Sequence, residues 1–208
     1  MCDIIVVDDA SEDNTAQLAI ENGAVVLPHV ESQGAWLATQ TGIRYARKNA
    51  YDIIVTMDAD GQHRAADVGV LLSAAKGNCD VVVGACVERG SFSRRVAWTL
   101  FKKLTGISIF DLTSGFRLYK KPAMDVLTSR QASLLEYQDM GVLLMLRSAG
   151  MIVKEVPVEM RLREAGISRI FSSWGKVGYY MFITLFLCLV KAVPEKSSSF
   201  TNRLKQGL

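Results

Sequence analysis

The sequence lacks paired cysteines, a strong excess of one charge, an apolar run long enough to span a bilayer, internal repeats and low-complexity tracts, and each absence removes a class of protein. Its four cysteines, Cys2, Cys79, Cys86 and Cys188, show neither the short pairs of a zinc site nor the density of a disulfide scaffold. Reduced, mostly buried thiols in a cytoplasmic protein are therefore expected. The net charge of +3, from 24 Lys and Arg against 21 Asp and Glu, is too small to indicate a nucleic-acid partner. The uncharged stretch from Val177 to Val190 is shorter than the roughly 18 to 20 residues of a membrane-spanning helix. No basic region followed by an apolar core and a small-residue cleavage site opens the chain, so no secretory leader is expected.

What is present is a chain of 208 residues, 50% hydrophobic and 22% charged, which excludes a disordered or collagen-like protein and is long enough to bury a sizeable core. Ile4 to Val7 is a β-branched run that ends in Asp8-Asp9-Ala10-Ser11, the pattern of a strand buried on both faces and leading into a polar loop. A helix capped by Ser11 or Asp13 and stopped by Asn22-Gly23 follows, then a short strand at Ala24 to Leu27. Residues 35–48 and 67–75 read as helices, and Asp52 to Met57 and Asp80 to Gly84 as further buried strands. This alternation is the signature of an α/β domain with a mostly parallel sheet, in which ligands bind at the carboxyl ends of strands. Asp8-Asp9 and Asp58-Ala59-Asp60 both stand at such ends.

Beyond Arg89 the basic residues Arg94, Arg95, Lys102 and Lys103 are interleaved with Phe92, Trp98, Phe101 and Leu104. The pattern is that of a basic amphipathic segment that lies on an anionic membrane surface, although the same apolar residues also suit a helix facing the core. Residues 134–149 read as a Leu- and Met-rich helix and Ile152 to Val158 as a strand. The expected organisation is a domain over 1–170, an apolar membrane-associating helix over 171–193 and a polar tail over 194–208.

Asp58 and Asp60 offer two carboxylates to one ligand, and oxygen ligands of this kind suit Mg2+ or Mn2+ sharing its shell with substrate phosphates. Gln62 and His63 are candidates for a third ligand or a phosphate contact; the alternative is a polar turn whose carboxylates satisfy backbone donors.

Four segments taken together carry a resemblance: Val-Val-Asp-Asp-Ala-Ser-Glu-Asp-Asn-Thr at 6–15, Met-Asp-Ala-Asp-Gly-Gln-His at 57–63, Asp-Leu-Thr-Ser-Gly-Phe-Arg-Leu-Tyr at 111–119 and Arg-Glu-Ala-Gly-Ile-Ser at 163–168. Their order and spacing resemble family 2 glycosyltransferases, most closely the branch of dolichyl-phosphate mannose synthases and polyprenyl-phosphate glycosyltransferases. The resemblance implies a GT-A, Rossmann-like fold with a mostly parallel central sheet, helices on both faces and an amphipathic or apolar C-terminal helix. It implies transfer of a sugar from a nucleotide-diphosphate sugar to a polyprenyl phosphate or other lipid acceptor, by inverting displacement, at the cytoplasmic face of a membrane.

Residue by residue, the resemblance implies that Asp8 or Asp9 contacts the nucleotide base. Asp58, Asp60 and Gln62 hold a divalent ion, Mg2+ or Mn2+, on the diphosphate. Ser114, Gly115 and Arg117 line the acceptor side, and Arg163 and Ser168 meet phosphate. Arg117 also stabilises charge on the leaving group. Asp139 is the candidate general base for a hydroxyl acceptor, with Glu136 second and an acidic helix start as the plainer alternative.

The sequence departs from the family pattern in two places. Gly34-Ala35-Trp36 stands where a Gly-Lys-Gly-like loop is usual, and the family's first strand and its following loop have no counterpart before Asp3. A strand-helix unit of on the order of 30 residues is therefore expected to be missing. Its loss exposes a sheet edge that a homo-oligomer can cover, and it raises the alternative of a catalytically impaired, binding-only protein. A receiver domain phosphorylated at Asp58 is a remoter reading: it fits the spacing of Asp8, Asp9 and Asp58 but leaves Asp60 and everything beyond residue 125 without a role.

Overall fold

The computed structural model describes residues 2–86, 109, 111, 114–135 and 140–161. The expectations placed on 91–104, on Glu136, Asp139, Arg163 and Ser168, and on the helix and tail beyond residue 170 lie outside those residues.

Two sheets carry the fold. In the first, β1 (Ile5–Asp8) pairs in parallel with β2 (Val25–Pro28), joined by α1 (Thr15–Glu21). The long helix α2 (Ala35–Lys48) then leads to β3 (Ile53–Thr56), and α3 (Val68–Ala75) leads to β4 (Val81–Ala85). After β5 (Arg117–Lys120) come α4 (Lys121–Leu127), α5 (Met140–Ser148) and β6 (Val153–Pro157). The second sheet has the order β3-β5-β4-β6: β4 and β6 are parallel, whereas β5 runs antiparallel to both β3 and β4. Three of its four strands thus share one direction, and β5 is the reversed strand between them.

Side chains alternate across this sheet as the pleat requires. Val81, Val83 and Tyr119 face one side, where Trp36, Ile43 and Ala46 of α2, Met124 and Leu127 of α4 and Leu143 and Leu146 of α5 cover them. Val82, Leu118 and Phe116 face the other, against Leu71 and Ala75 of α3. Helices therefore cover both faces. α2 is held to its neighbours by side-chain donors as well as by its apolar stripe: Trp36 Nε1 donates to Ala132 O at 2.7 Å and Gln40 Nε2 to Leu127 O at 2.8 Å.

β4 is buried at every position, but β1 and β3 are not the doubly buried strands that their sequences predict. Ile5, Val6 and Val7 are only partly buried, and Ile53 is 41% exposed. Among the described residues each of the two strands pairs on one side, β1 with β2 and β3 with β5, and the two do not pair with each other. α2 packs against both. The start of β3 is tied to the start of β1 by Tyr51, whose hydroxyl donates to Asp3 Oδ2 at 2.6 Å.

Candidate active site

Parallel strands bring their carboxyl ends to one edge, and β1 and β2 set Asp8, Asp9 and His29 there. Ala10 at φ 59° turns the chain sharply after the two aspartates. Asp8 is 8% exposed and its Oδ1 accepts the Ser11 N–H at 3.1 Å. The Asp9 carboxylate is fully engaged. Oδ1 accepts from His29 Nδ1 and the Gln33 N–H, and Oδ2 accepts from the Ser32 hydroxyl and the Gly34 N–H, all at 2.8 Å. Partial burial pushes its pKa up, but the bonds from Gln33, His29, Ser32 and Gly34 outweigh that and hold it down to about 2. Asp9 therefore anchors the loop into α2. His29 extends the anchor, with Nε2 3.0 Å from the Thr41 hydroxyl on α2. A histidine at the end of the strand following a doubly acidic strand end is the signal that could have revealed this bracket, and the sequence reading passed over it.

β3 delivers the second acidic pair. Asp58 is exposed and no hydrogen bond from a described residue reaches its carboxylate, whereas Asp60 is half-buried and accepts the Gln62 N–H on Oδ1 at 3.1 Å. Gly61, at φ 77°, makes the reversal that a side chain would strain. Gln62 and His63 are buried beneath the turn. The Gln62 carbonyl accepts the Arg161 N–H at 3.0 Å, its side-chain amide reaches Arg161 O at 3.5 Å, and His63 bridges Met160. The turn is thus a polar turn and a presenter of carboxylates at once.

Because β5 is reversed, its beginning lies at the same end of the sheet as the end of β3: Thr56 pairs with Arg117, and the Thr56 hydroxyl donates to Gly115 O at 2.9 Å. Ser114 and Gly115 are therefore brought to the carboxylate turn. Ser114 is buried and its hydroxyl is used within the fold, donating to Gly84 O at 2.6 Å and accepting the Phe116 N–H at 3.2 Å. Arg117 is fully buried in the sheet, in register between Thr56 and Val83. Phe116, quoted in the motif but given no role, stacks on His63 with ring centroids 5.1 Å apart.

The donor set fits a hard divalent cation. Two carboxylates on one turn match the one or two that Mg2+ takes from protein when phosphates complete its shell. Among the described residues no group of three or more His, Cys, Asp or Glu is arranged to hold a metal ion, so the two carboxylates would need substrate oxygens to complete a shell.

Residues 2–128 match the family described as Glycosyl transferase family 2. The chain belongs to this family. It is a glycosyltransferase, and it resembles enzymes of polyprenyl-phosphate sugar transfer: polyprenol monophosphomannose synthase of Mycolicibacterium smegmatis is 27% identical over 82% of this chain and 71% of its own length. The undecaprenyl-phosphate mannosyltransferase of Micrococcus luteus is 31% identical over 85% of this chain and 78% of its own. Among solved structures, glucosyl-3-phosphoglycerate synthase of Mycobacterium tuberculosis in complex with Mn2+, UDP-glucose and phosphoglyceric acid superposes with a TM-score of 0.65. It is 18% identical and matches over 90% of this chain and 68% of its own, which shows the GT-A fold. In this family 2 glycosyltransferase no helix among the described residues is long and apolar enough to cross a membrane.

Proposed function

We propose that the protein transfers a sugar from a nucleotide-diphosphate sugar to a polyprenyl phosphate by a metal-assisted inverting displacement. The observation that carries this is the Asp58–Gln62 turn. An exposed carboxylate and a half-buried one stand at the end of β3, next to Ser114 and Gly115, in a chain whose relatives are named for polyprenyl-phosphate sugar transfer.

Asp58 and Asp60 would hold Mg2+ or Mn2+, which supplies charge neutralisation for the departing diphosphate. Asp8 orients the nucleoside from the end of β1. A phosphate oxygen of the lipid attacks the anomeric carbon as the bond to the β-phosphate oxygen breaks, the configuration inverts, and the nucleoside diphosphate leaves. The buried Arg117 guanidinium places positive charge under the acceptor side, where a low local dielectric extends its reach. An acceptor phosphate is already anionic and needs no base; Asp139 serves as base only for a hydroxyl acceptor. Arg163 and Ser168 meet phosphate. The basic segment at 91–104 and the apolar run at 177–190 hold the enzyme at the cytoplasmic face of the membrane, and a homo-oligomer covers an exposed sheet edge.

Calorimetric titration with UDP- and GDP-sugars, with and without Mn2+, tests the donor half. Binding that requires the metal and disappears in Asp58→Asn and Asp60→Asn is the expected result; metal-independent binding, or none, overturns it. Product formation with undecaprenyl phosphate tests the acceptor half. The half-exposed β1 and β3, which carry the acidic pairs, favour one competing reading, a binding-only protein, and donor binding with no sugar transferred to any acceptor would establish it.

A further inference from the structure

The Asp58 carboxylate is aimed by its backbone, and what fixes that backbone is His63. The Asp58 N–H donates to His63 Nδ1 at 3.0 Å, which places the ring proton on Nε2. The ring is 8% exposed and stacks on Phe116, with planes 21° apart. Phe116 is itself fully buried, and its N–H donates to the Ser114 hydroxyl, which is anchored on Gly84 O of β4. One continuous path of contacts therefore runs from the carboxylate turn to the Ser114–Arg117 segment, and the imidazole touches both.

We infer that His63 is a positioning residue that sets the Asp58 carboxylate relative to the Ser114–Arg117 segment, so that divalent-cation binding at Asp58 and Asp60 depends on Nδ1 as an acceptor. The inference rests on the cation reading proposed above. It differs from the expectation that His63 is a third metal ligand or a phosphate contact, because Nδ1 is engaged by the Asp58 N–H. Residues that orient metal ligands typically change metal affinity by about 10- to 100-fold when removed.

The test is an EPR titration of Mn2+ in the presence of UDP, and separately of GDP, with thermal melting of the same samples. His63→Gln removes the acceptor from the δ position; its apparent Mn2+ affinity should fall by at least about tenfold. His63→Asn keeps an acceptor there and should recover affinity to within about threefold of wild type. Phe116→Leu leaves Nδ1 in place but removes the stack, should also weaken Mn2+ binding, and reads the same path should His63→Gln fail to fold. Lower melting temperatures with Mn2+ affinity unchanged in His63→Gln, or no recovery in His63→Asn, would overturn the role of His63. Absence of Mn2+ binding to the wild type is a separate result and overturns the cation reading itself.

Discussion

Asp9 and Asp58 are both carboxylates at the ends of strands, yet they do opposite work. Asp9 receives four hydrogen bonds, from His29, Ser32, Gln33 and Gly34, whereas Asp58 offers an exposed carboxylate to solvent. Asp9→Asn turns one oxygen into a donor that faces donors on either side, so it should destabilise the fold by about 1–3 kcal/mol, measured by urea unfolding at pH 7. The acid response should change as well. Because the folded carboxyl is held from 3.8 down to about 2, its stabilisation is complete above pH 4 and is lost as the pH falls towards 2. The variant should show a shallower loss of stability across that window, and an unchanged slope would refute the assignment. Sequence spacing placed both aspartates at ligand-binding ends but could not separate them. What separates them is a histidine, a serine hydroxyl and two backbone amides from a segment twenty or more positions away, a tertiary arrangement of which His29 is the one trace in the sequence.

At the scale of elements, the periodic helix α2 and the short apolar runs of β1 to β4 and β6 were legible, and β5 and α4 were not. The apolar spacing of Trp36, Ile43 and Ala46 marks α2, whose observed limits, Ala35–Lys48, are those expected from sequence. β5 escaped because it is four residues long and opens on Arg117, a charged residue that is fully buried, and α4 because its start signal, Pro122 in the first turn, follows that strand without a loop. The β4–β5 contact is the tightest element junction bearing on the site. A Cβ built on Gly84 would lie 2.8 Å from Phe116 Cδ1 and 3.2 Å from both Val158 methyls. Gly84→Ala must therefore displace the ring that supports His63. The expected cost is about 1–3 kcal/mol of stability, read from denaturant midpoints, together with weakened Mn2+ binding. Both values unchanged would show that the junction yields freely and does not control the carboxylate turn.

For the whole molecule, the division into two sheets predicts uneven stability. β4 is buried throughout and bonded to β5 and β6, while β1 has one partner among the described residues, β2, and a two-stranded sheet is marginal without further support. The apolar side chains of β1 and β3 are only partly buried, which composition alone could not reveal. Amides of β4 should exchange with solvent at the rate of global unfolding, and those of β1 and β2 at least about 100-fold faster, through local opening. A ligand changes this in a way that reports where it sits. If the nucleotide spans Asp8 of β1 and the Asp58–Gln62 turn of β3, it binds only when both sheets are in place and stabilises β1 by mass action. Adding UDP or GDP with Mn2+ should then slow exchange in β1 and leave β4 little changed. Slowing confined to β3 and the turn would place the nucleotide on the second sheet alone and remove Asp8 from the donor site.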